Sequence, residues 1–489
     1  MAPDVKPNVA MGFYFFPRGG SAQVVRYLSK ALQDGPWSPQ LFAGSIGTSA
    51  AMSNAEGFFA GLRCASLNYS AAWSDWERGA DPFSSIIPMH GSYEDKADVP
   101  DRIFFELDND AFARQVASWT AFFGTHAHLQ PRVVHLHHLT PMHEAARAVW
   151  PDVPVITHLH GTELKMLEAA IDPSPANKPG RWTRQWVGRM RRWAAESDRV
   201  VVVSPQDEVL ARRLLPVDVD RMATISSGVD TDIFGSRPQH SAERRWRWKR
   251  WLVDDPRGWR PGLAEGSIRY SLDDLSLFTN QFGSPVPVVL FAGRFMKFKR
   301  LQLLIEAHHA LRTTTSFRSV LVIAGGFPGE WEGEHPYDTV QRLGAEGVFF
   351  LGWRDHDHLA EMLHCADVFA APAVDEPFGL VYLEAMAAGL PPIATNTGGP
   401  RSFINVDQER PTGWLVPPDD LAATTQALAE AVADRAMRIQ RGTRAAEFVR
   451  NNYSWSSAAN SFAALYAETV EEHDRLKPTQ PGRPTSGVA

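Results

Sequence analysis

Asp375-Glu376-Pro377-Phe378-Gly379-Leu380-Val381-Tyr382-Leu383-Glu384-Ala385 is the stretch around which the chain is organised. The apolar run 366–373 before it reads as a buried strand, and 385–390 after it as a helix ended by Gly389. Pro377 suits the first turn of that helix, because proline has no N–H to lose there. The backbone N–H groups of Phe378, Gly379 and Leu380 are then the unpaired donors of a helix N-terminus, a ready-made anion site. Gly379 has no side chain to block a phosphate or a sugar ring. Glu376 in the loop and Glu384 about two turns into the helix flank this site. Ionised carboxylates only accept, so each can hold a pair of hydroxyls. A diphosphate between two polyols suits the arrangement, and a nucleotide-sugar is such a molecule.

Upstream, Val286 to Phe291 reads as a strand ending in Gly293-Arg294-Phe295-Met296-Lys297-Phe298-Lys299-Arg300, with a helix over 301–312. A forked guanidinium and a point-charge ammonium stabilise the charge that develops on a departing diphosphate without a metal ion. Taken together, Glu376, seven residues and Glu384 with the intervening Pro-Phe-Gly-Leu resemble the signature of retaining glycosyltransferases of family 4, which have the GT-B fold. That resemblance implies an α/β protein of two Rossmann-like domains facing a cleft, at 1–225 and 226–455, with a helix at 456–476 crossing back to the first. It also implies roles. Arg294 and Lys299 match the family's Gly-Arg and the lysine five residues on, and would meet the donor diphosphate. Arg300 departs from the pattern, which has glycine there. Glu376 would hold sugar hydroxyls and Glu384 the ribose. Gly19, Gly20 and Ser21 form the glycine loop after the first strand, facing donor phosphates and acceptor. His160, at a strand end and followed by Gly-Thr, matches the active-site histidine beside the anomeric centre. Trp353 and Arg354, after Leu351-Gly352, would meet the nucleobase, mostly through backbone. The implied reaction moves a hexosyl unit from a UDP- or GDP-type sugar to an acceptor with retention, by front-face attack or double displacement.

Composition bounds the alternatives. A chain of 489 residues holds two or three full cores, and 44% hydrophobic with 21% charged residues is ordinary for a globular protein. The net charge of −7 argues against general nucleic-acid binding. Two cysteines, Cys64 and Cys365, give neither a disulfide framework nor a cysteine zinc site. Residues 9–16 are apolar but too short for a signal peptide, and no run reaches the length of a membrane span. A cytoplasmic location without membrane association is expected.

Other stretches keep open readings. Residues 44–100 are poor in pattern and read as loops over the mouth of the first domain. Acceptor recognition lives in such loops, so His90 and Tyr93 are candidate contacts, with Ser21, His138 and Thr162. His137, His138, His158 and His160 near two strand ends could suggest a metal, but no carboxylate or cysteine stands at ligand spacing, and none is assigned. Trp182, Trp186, Met190 and Trp193 fall on one face of a basic helix, which suits packing against the sheet better than a membrane surface. Residues 236–285 exceed what the family needs, and 241–260 mix arginines with tryptophans. This insert reads as a subgroup elaboration beside the cleft rather than a nucleic-acid track. The Asp-x-Asp letters at 218–220, 230–232 and 355–357 read as turns and caps. Residues 477–489 are rich in Pro, Gly, Ser and Thr and read as a disordered tail. A small specialised acceptor, as in secondary metabolism, is the expected second substrate. The rival readings are a same-fold epimerase or phosphorylase, and a non-catalytic binder of nucleotide-sugar or nucleic acid.

Overall fold

The computed structural model describes residues 6–48, 53–94, 99–171, 180–237 and 241–476; the expected tail at 477–489 lies outside them. In chain order, β1 (Asn8–Phe13), β2 (Ser38–Ser45) and β3 (Cys64–Asn68) precede a short ribbon of β4 (Gly91–Ser92) and β5 (Arg102–Ile103). Then come β6 (Val133–His137), β7 (Val155–His158), β8 (Arg199–Val202) and β9 (Met222–Thr224). Apart from the ribbon these make a seven-stranded parallel sheet in the order β3-β2-β1-β6-β7-β8-β9. A second parallel sheet of six strands runs β12-β11-β10-β13-β14-β15. Its members are β10 (Val288–Ala292), β11 (Val320–Ala324), β12 (Val348–Gly352), β13 (Val368–Ala370), β14 (Pro392–Thr395) and β15 (Trp414–Val416). In both sheets the strand order reverses next to the first strand, the point where open α/β sheets bind ligands at their carboxyl ends. The central strands are buried along their whole length, which is why they read as unbroken apolar runs.

The C-terminal helix Trp455–Leu476 returns to the first domain. Its Trp455, Phe462 and Tyr466 are buried with Val25, Leu28 and Trp37 of that domain, and Trp37 donates to the Ala463 carbonyl at 3.2 Å. The two chain crossings touch: the Val229 N–H donates to the Tyr453 carbonyl at 2.9 Å. Gly228 permits that contact, since a Cβ there would lie 2.4 Å from the Trp455 nitrogen.

The tryptophan helix, Thr183–Glu196, packs inward with Trp186, Met190 and Trp193 buried, and Trp186 donates to the Leu107 carbonyl at 2.7 Å. The insert is likewise absorbed. Trp248, Trp251, Trp259, Ile268 and Phe278 join the second domain's core, while Trp246 stays exposed. Arg244 forks onto Asp367 with contacts of 3.2 and 2.6 Å. No helix among the described residues is long and apolar enough to cross a membrane.

Candidate active site

The carboxyl ends of the two sheets face each other across a cleft of about 1930 Å³. One wall begins at Asp375, which takes a left-handed φ of 54°. The loop 375–378 rests on Thr397-Gly398-Gly399: the Gly399 N–H donates to the Glu376 carbonyl at 2.7 Å, and a Cβ on Gly398 would meet that oxygen at 2.4 Å. The helix that follows is Leu380–Ala387, with Gly379 as its N-cap at φ 89°. It therefore starts three residues after Pro377, which stays in the loop. The free donors at its start begin with the N-cap Gly379, and Phe378 lies outside the helical turn. The reason is the glycine: at a positive φ it reverses the chain, which neither Pro377 nor Phe378 could do without strain. Glu384 sits one turn into the helix, buried, and accepts from His356 Nε2 at 2.8 Å. His356 Nδ1 in turn lies 3.1 Å from the Tyr27 hydroxyl of the first domain.

Lys299 donates to Glu376 in a tight ion pair, with side chains only 13% and 11% exposed. Arg294 forks onto Glu94 of the first domain with two contacts of 2.6 Å. Arg300 takes a left-handed conformation, φ 52°, and caps the helix Leu301–Thr314. That backbone explains why glycine suits this position. Here the arginine reaches Asp419, itself at φ 55°, and so ties the turn down by its side chain.

The opposite wall belongs to the first domain. Gly19, at φ 74°, and Gly20 open the helix Gly19–Asp34, so the expected glycine loop is that helix's first turn. His160 follows β7; its N–H donates to Glu163 Oε1 at 2.8 Å and its Nε2 lies 2.9 Å from His137 Nδ1. Burial, with His138 and His158 close by, holds the His160 imidazole well below its ordinary range, so it is neutral at neutral pH. His138, at φ 68°, pairs with the fully buried Glu163 at 3.1 Å. The two walls nearly meet at Gly161, where a Cβ would lie 2.5 Å from Pro377 Cβ.

The same cleft is lined by Gly19, Gly20, Ser21, His90, His138, His160, Thr162, Arg294, Lys299, Trp353, Arg354, Glu376, Phe378, Gly379, Leu380 and Glu384. Trp353 stacks on Phe327 with centroids 5.1 Å apart and its half-buried ring faces the cleft. Arg354 lines the same cleft. Its guanidinium turns to Asp255 and the Trp251 carbonyl, pinning the insert, which is compatible with the expected backbone contact. His90 is buried among Tyr14, Phe15, Phe16 and Tyr69, and the Tyr93 hydroxyl is spent on the Leu139 carbonyl at 2.5 Å. Thr162 donates to Glu163 at 3.0 Å.

Sequence reasoning gave no role to Glu94, Glu163, Lys165 or His356. Only Glu163 left a signal, an acid three residues after His160 that reaches back to its N–H as a capping-box glutamate does. Lys165 lies over the Phe298 ring at 4.4 Å, beside Lys299, whose ammonium is 5.0 Å from the same ring.

Asp207, behind Gly161, gives a pH prediction. Burial and the Glu163 carboxylate push it from 3.8 up to about 7. The folded state thus holds a proton that the unfolded state has lost, and stability falls as pH rises from about 4 to about 7. Asp207→Asn removes this loss, so it gains about 2–4 kcal/mol over the parent at pH 8 and nothing near pH 4. Chemical denaturation across that range measures it; a difference constant with pH would contradict the assignment.

The family model described as "Glycosyl transferases group 1" matches residues 276–448, and "Glycosyltransferase Family 4" matches 89–233. A D-inositol 3-phosphate glycosyltransferase of Corynebacterium aurimucosum is 27% identical over 331 residues, 66% of this chain and 68% of that enzyme. Among solved structures, sucrose-phosphate synthase from Thermosynechococcus elongatus superposes with a TM-score of 0.66 at 20% identity, covering 95% of this chain and all of that one. Anabaena Alr3699/HepE, solved in complex with UDP and glucose, gives 0.63 at 15% identity, covering 94% and 99%. Both sheets, the crossing helix and both matched regions lead to one conclusion: the chain belongs to the family 4 glycosyltransferases and has their GT-B fold.

Proposed function

We propose that this glycosyltransferase moves a hexosyl unit from a UDP- or GDP-type sugar to a small-molecule acceptor, with retention and without a divalent ion on the diphosphate. The observation that carries the reading is the pair of cations at the cleft, each already matched to a carboxylate: Arg294 to Glu94 and Lys299 to Glu376. A diphosphate offers the same fork and point-charge partners. Its arrival would exchange Glu94 and Glu376 for phosphate oxygens and free Glu376 to accept sugar hydroxyls. Leu380 at the helix start would add backbone donors. Glu384, held by His356, would take the ribose hydroxyls, and Trp353 offers a flat face to the base. The UDP and glucose in the Anabaena neighbour support a uridine donor. Neutral His160 would stand beside the anomeric centre without adding charge there. A small acceptor would bind between this site and the first domain's loops; secondary metabolism and a cytoplasmic setting belong to the same reading.

The test is transfer of labelled hexose from UDP- and GDP-sugars, with the anomeric configuration of the product read by NMR. Retained configuration is expected, and turnover is expected not to respond to added Mg²⁺ or Mn²⁺. Inverted product, or strict dependence on added Mn²⁺, would overturn the reading.

A further inference from the structure

His135 and His137 stand two residues apart on β6, so both rings leave the same face of the first sheet. His137 lies opposite His158 of β7 in the parallel register, which brings a third imidazole to that face. The rings are close, with centroids 4.5 Å apart for His135–His137, 5.0 Å for His137–His158 and 5.4 Å for His135–His158. All three are buried, and Phe462 of the crossing helix covers His135 and His158 at 5.1 Å from each. One ring nitrogen from each histidine lies within 4.8 Å of the other two.

Hydrogen bonding sorts these nitrogens. His135 Nδ1 lies 2.6 Å from the Tyr466 hydroxyl, and His137 Nδ1 lies 2.9 Å from His160 Nε2. Nε2 of both, and both nitrogens of His158, have no hydrogen-bond partner among the described residues. Leaving one buried polar group unpaired costs about 1–3 kcal/mol, and here several lie in one cluster. In His135 and His137 one ring nitrogen is tied to an outer partner while the other stays unpaired, the arrangement that metal-ligating histidines use. Burial also keeps all three neutral, the form that binds metal: it pushes His135 down to about 3, and His137 and His158 well below their ordinary range.

We propose that His135, His137 and His158 form a buried transition-metal site between the first sheet and the C-terminal helix, with zinc(II) the ion its chemistry fits best. Three imidazoles suit a tetrahedral ion, with water or hydroxide as the fourth ligand. Metal–nitrogen bonds of about 2.0–2.1 Å ask the nitrogens to draw together to roughly 3.3 Å and the rings, now 20–38° from parallel, to turn toward one ion. None of the three histidines lines the cleft. The ion therefore sits behind the cleft wall, away from the diphosphate, and this site stands whether or not the proposed reaction is correct. Its link to the cleft is His160: an Nδ1–H of His137 donated to His160 Nε2 leaves the His160 proton on Nδ1. The metal would thus fix the tautomer of the cleft-facing imidazole and tie the crossing helix to the sheet.

The experiment uses the full chain, free of any affinity tag, stripped with a chelator and reloaded with zinc or cobalt(II). The wild type is expected to keep close to one zinc per chain through gel filtration. Its cobalt form should show the intense visible absorption of a four-coordinate ion. His158→Gln should lose both signals, Tyr466→Phe should weaken affinity about 10–100-fold, and His309→Gln, on a surface helix, should change neither. A wild type that retains no zinc and shows no such cobalt spectrum would overturn the site. So would a folded His158→Gln that keeps its full equivalent. Should His158→Gln fail to fold, the wild-type cobalt spectrum and the Tyr466→Phe affinity decide the matter.

Discussion

Lys299→Ala is expected to lower kcat by about 10²–10³, the equivalent of about 2.7–4 kcal/mol, the scale of losing one preorganised electrostatic donor. Lys299 sits where its charge counts: its side chain is 13% exposed and it is held against Glu376. In so dry a setting an ammonium aimed at developing charge acts far more strongly than it would in water. It also costs no reorganisation at the moment of bond breaking. Because the diphosphate's charge grows as the glycosidic bond breaks, the loss falls mainly on kcat and less on KM. Lys299→Arg keeps charge but not shape, and should recover part of the rate. Steady-state kinetics, with a melting curve to establish folding, measures the effect. Unchanged turnover in a folded Lys299→Ala would remove this residue from the mechanism.

Glu384→Ala should weaken nucleotide binding by about one to two orders of magnitude, since hydrogen bonds to a charged group contribute about 1.5–3 kcal/mol. The variant also breaks a chain that runs from Glu384 through His356 to Tyr27 in the other domain. Burial opposes a charged His356, but the Glu384 carboxylate outweighs it and holds this imidazole above its ordinary range. A raised histidine contributes stability that is full below its unfolded value of 6.5 and is lost as pH rises through the folded value. The stability gap between the parent and Glu384→Ala should therefore be widest in mild acid and close at alkaline pH. Calorimetric titration with nucleotide measures the first effect and melting curves against pH the second. Unweakened binding would contradict the role given to Glu384.

How much of this was legible depended on the range of the interaction. Buried parallel strands announce themselves as unbroken apolar runs, as in Val200-Val201-Val202-Val203 or Leu321-Val322-Ile323, and the Glu376 to Glu384 spacing marks a loop-to-helix turn locally. The helix start did not follow, because Pro377 signals a first turn as readily as a loop and only the left-handed Gly379 decides. Arg300 looked like a departure; its left-handed backbone makes it a substitute for glycine at the same turn. The position of Arg354 after Leu351-Gly352 suggests a backbone contact to the base and says nothing of its side chain. Its guanidinium answers to Asp255, about a hundred residues earlier in the chain, in an insert whose packing no local pattern reveals. Glu94 and His356 left no signal for the same reason: each acquires its meaning from a partner across the cleft or in another element. The histidine stripe was partly visible as His158-x-His160, but the triad depends on the register of β6 against β7 and on the helix that covers it.

The measurement that tests the central claim most directly is thermal stabilisation of the full chain by UDP, GDP, dTDP and ADP, each without added divalent ion. At a hundred times its dissociation constant, a nucleotide that binds only the folded state adds about 2.7 kcal/mol, a plain shift in Tm. The expected result is a response to a uridine or guanosine diphosphate that disappears in Glu384→Ala. No response to any of the four would contradict a nucleotide-sugar site between Arg294, Lys299 and the Glu376–Glu384 turn.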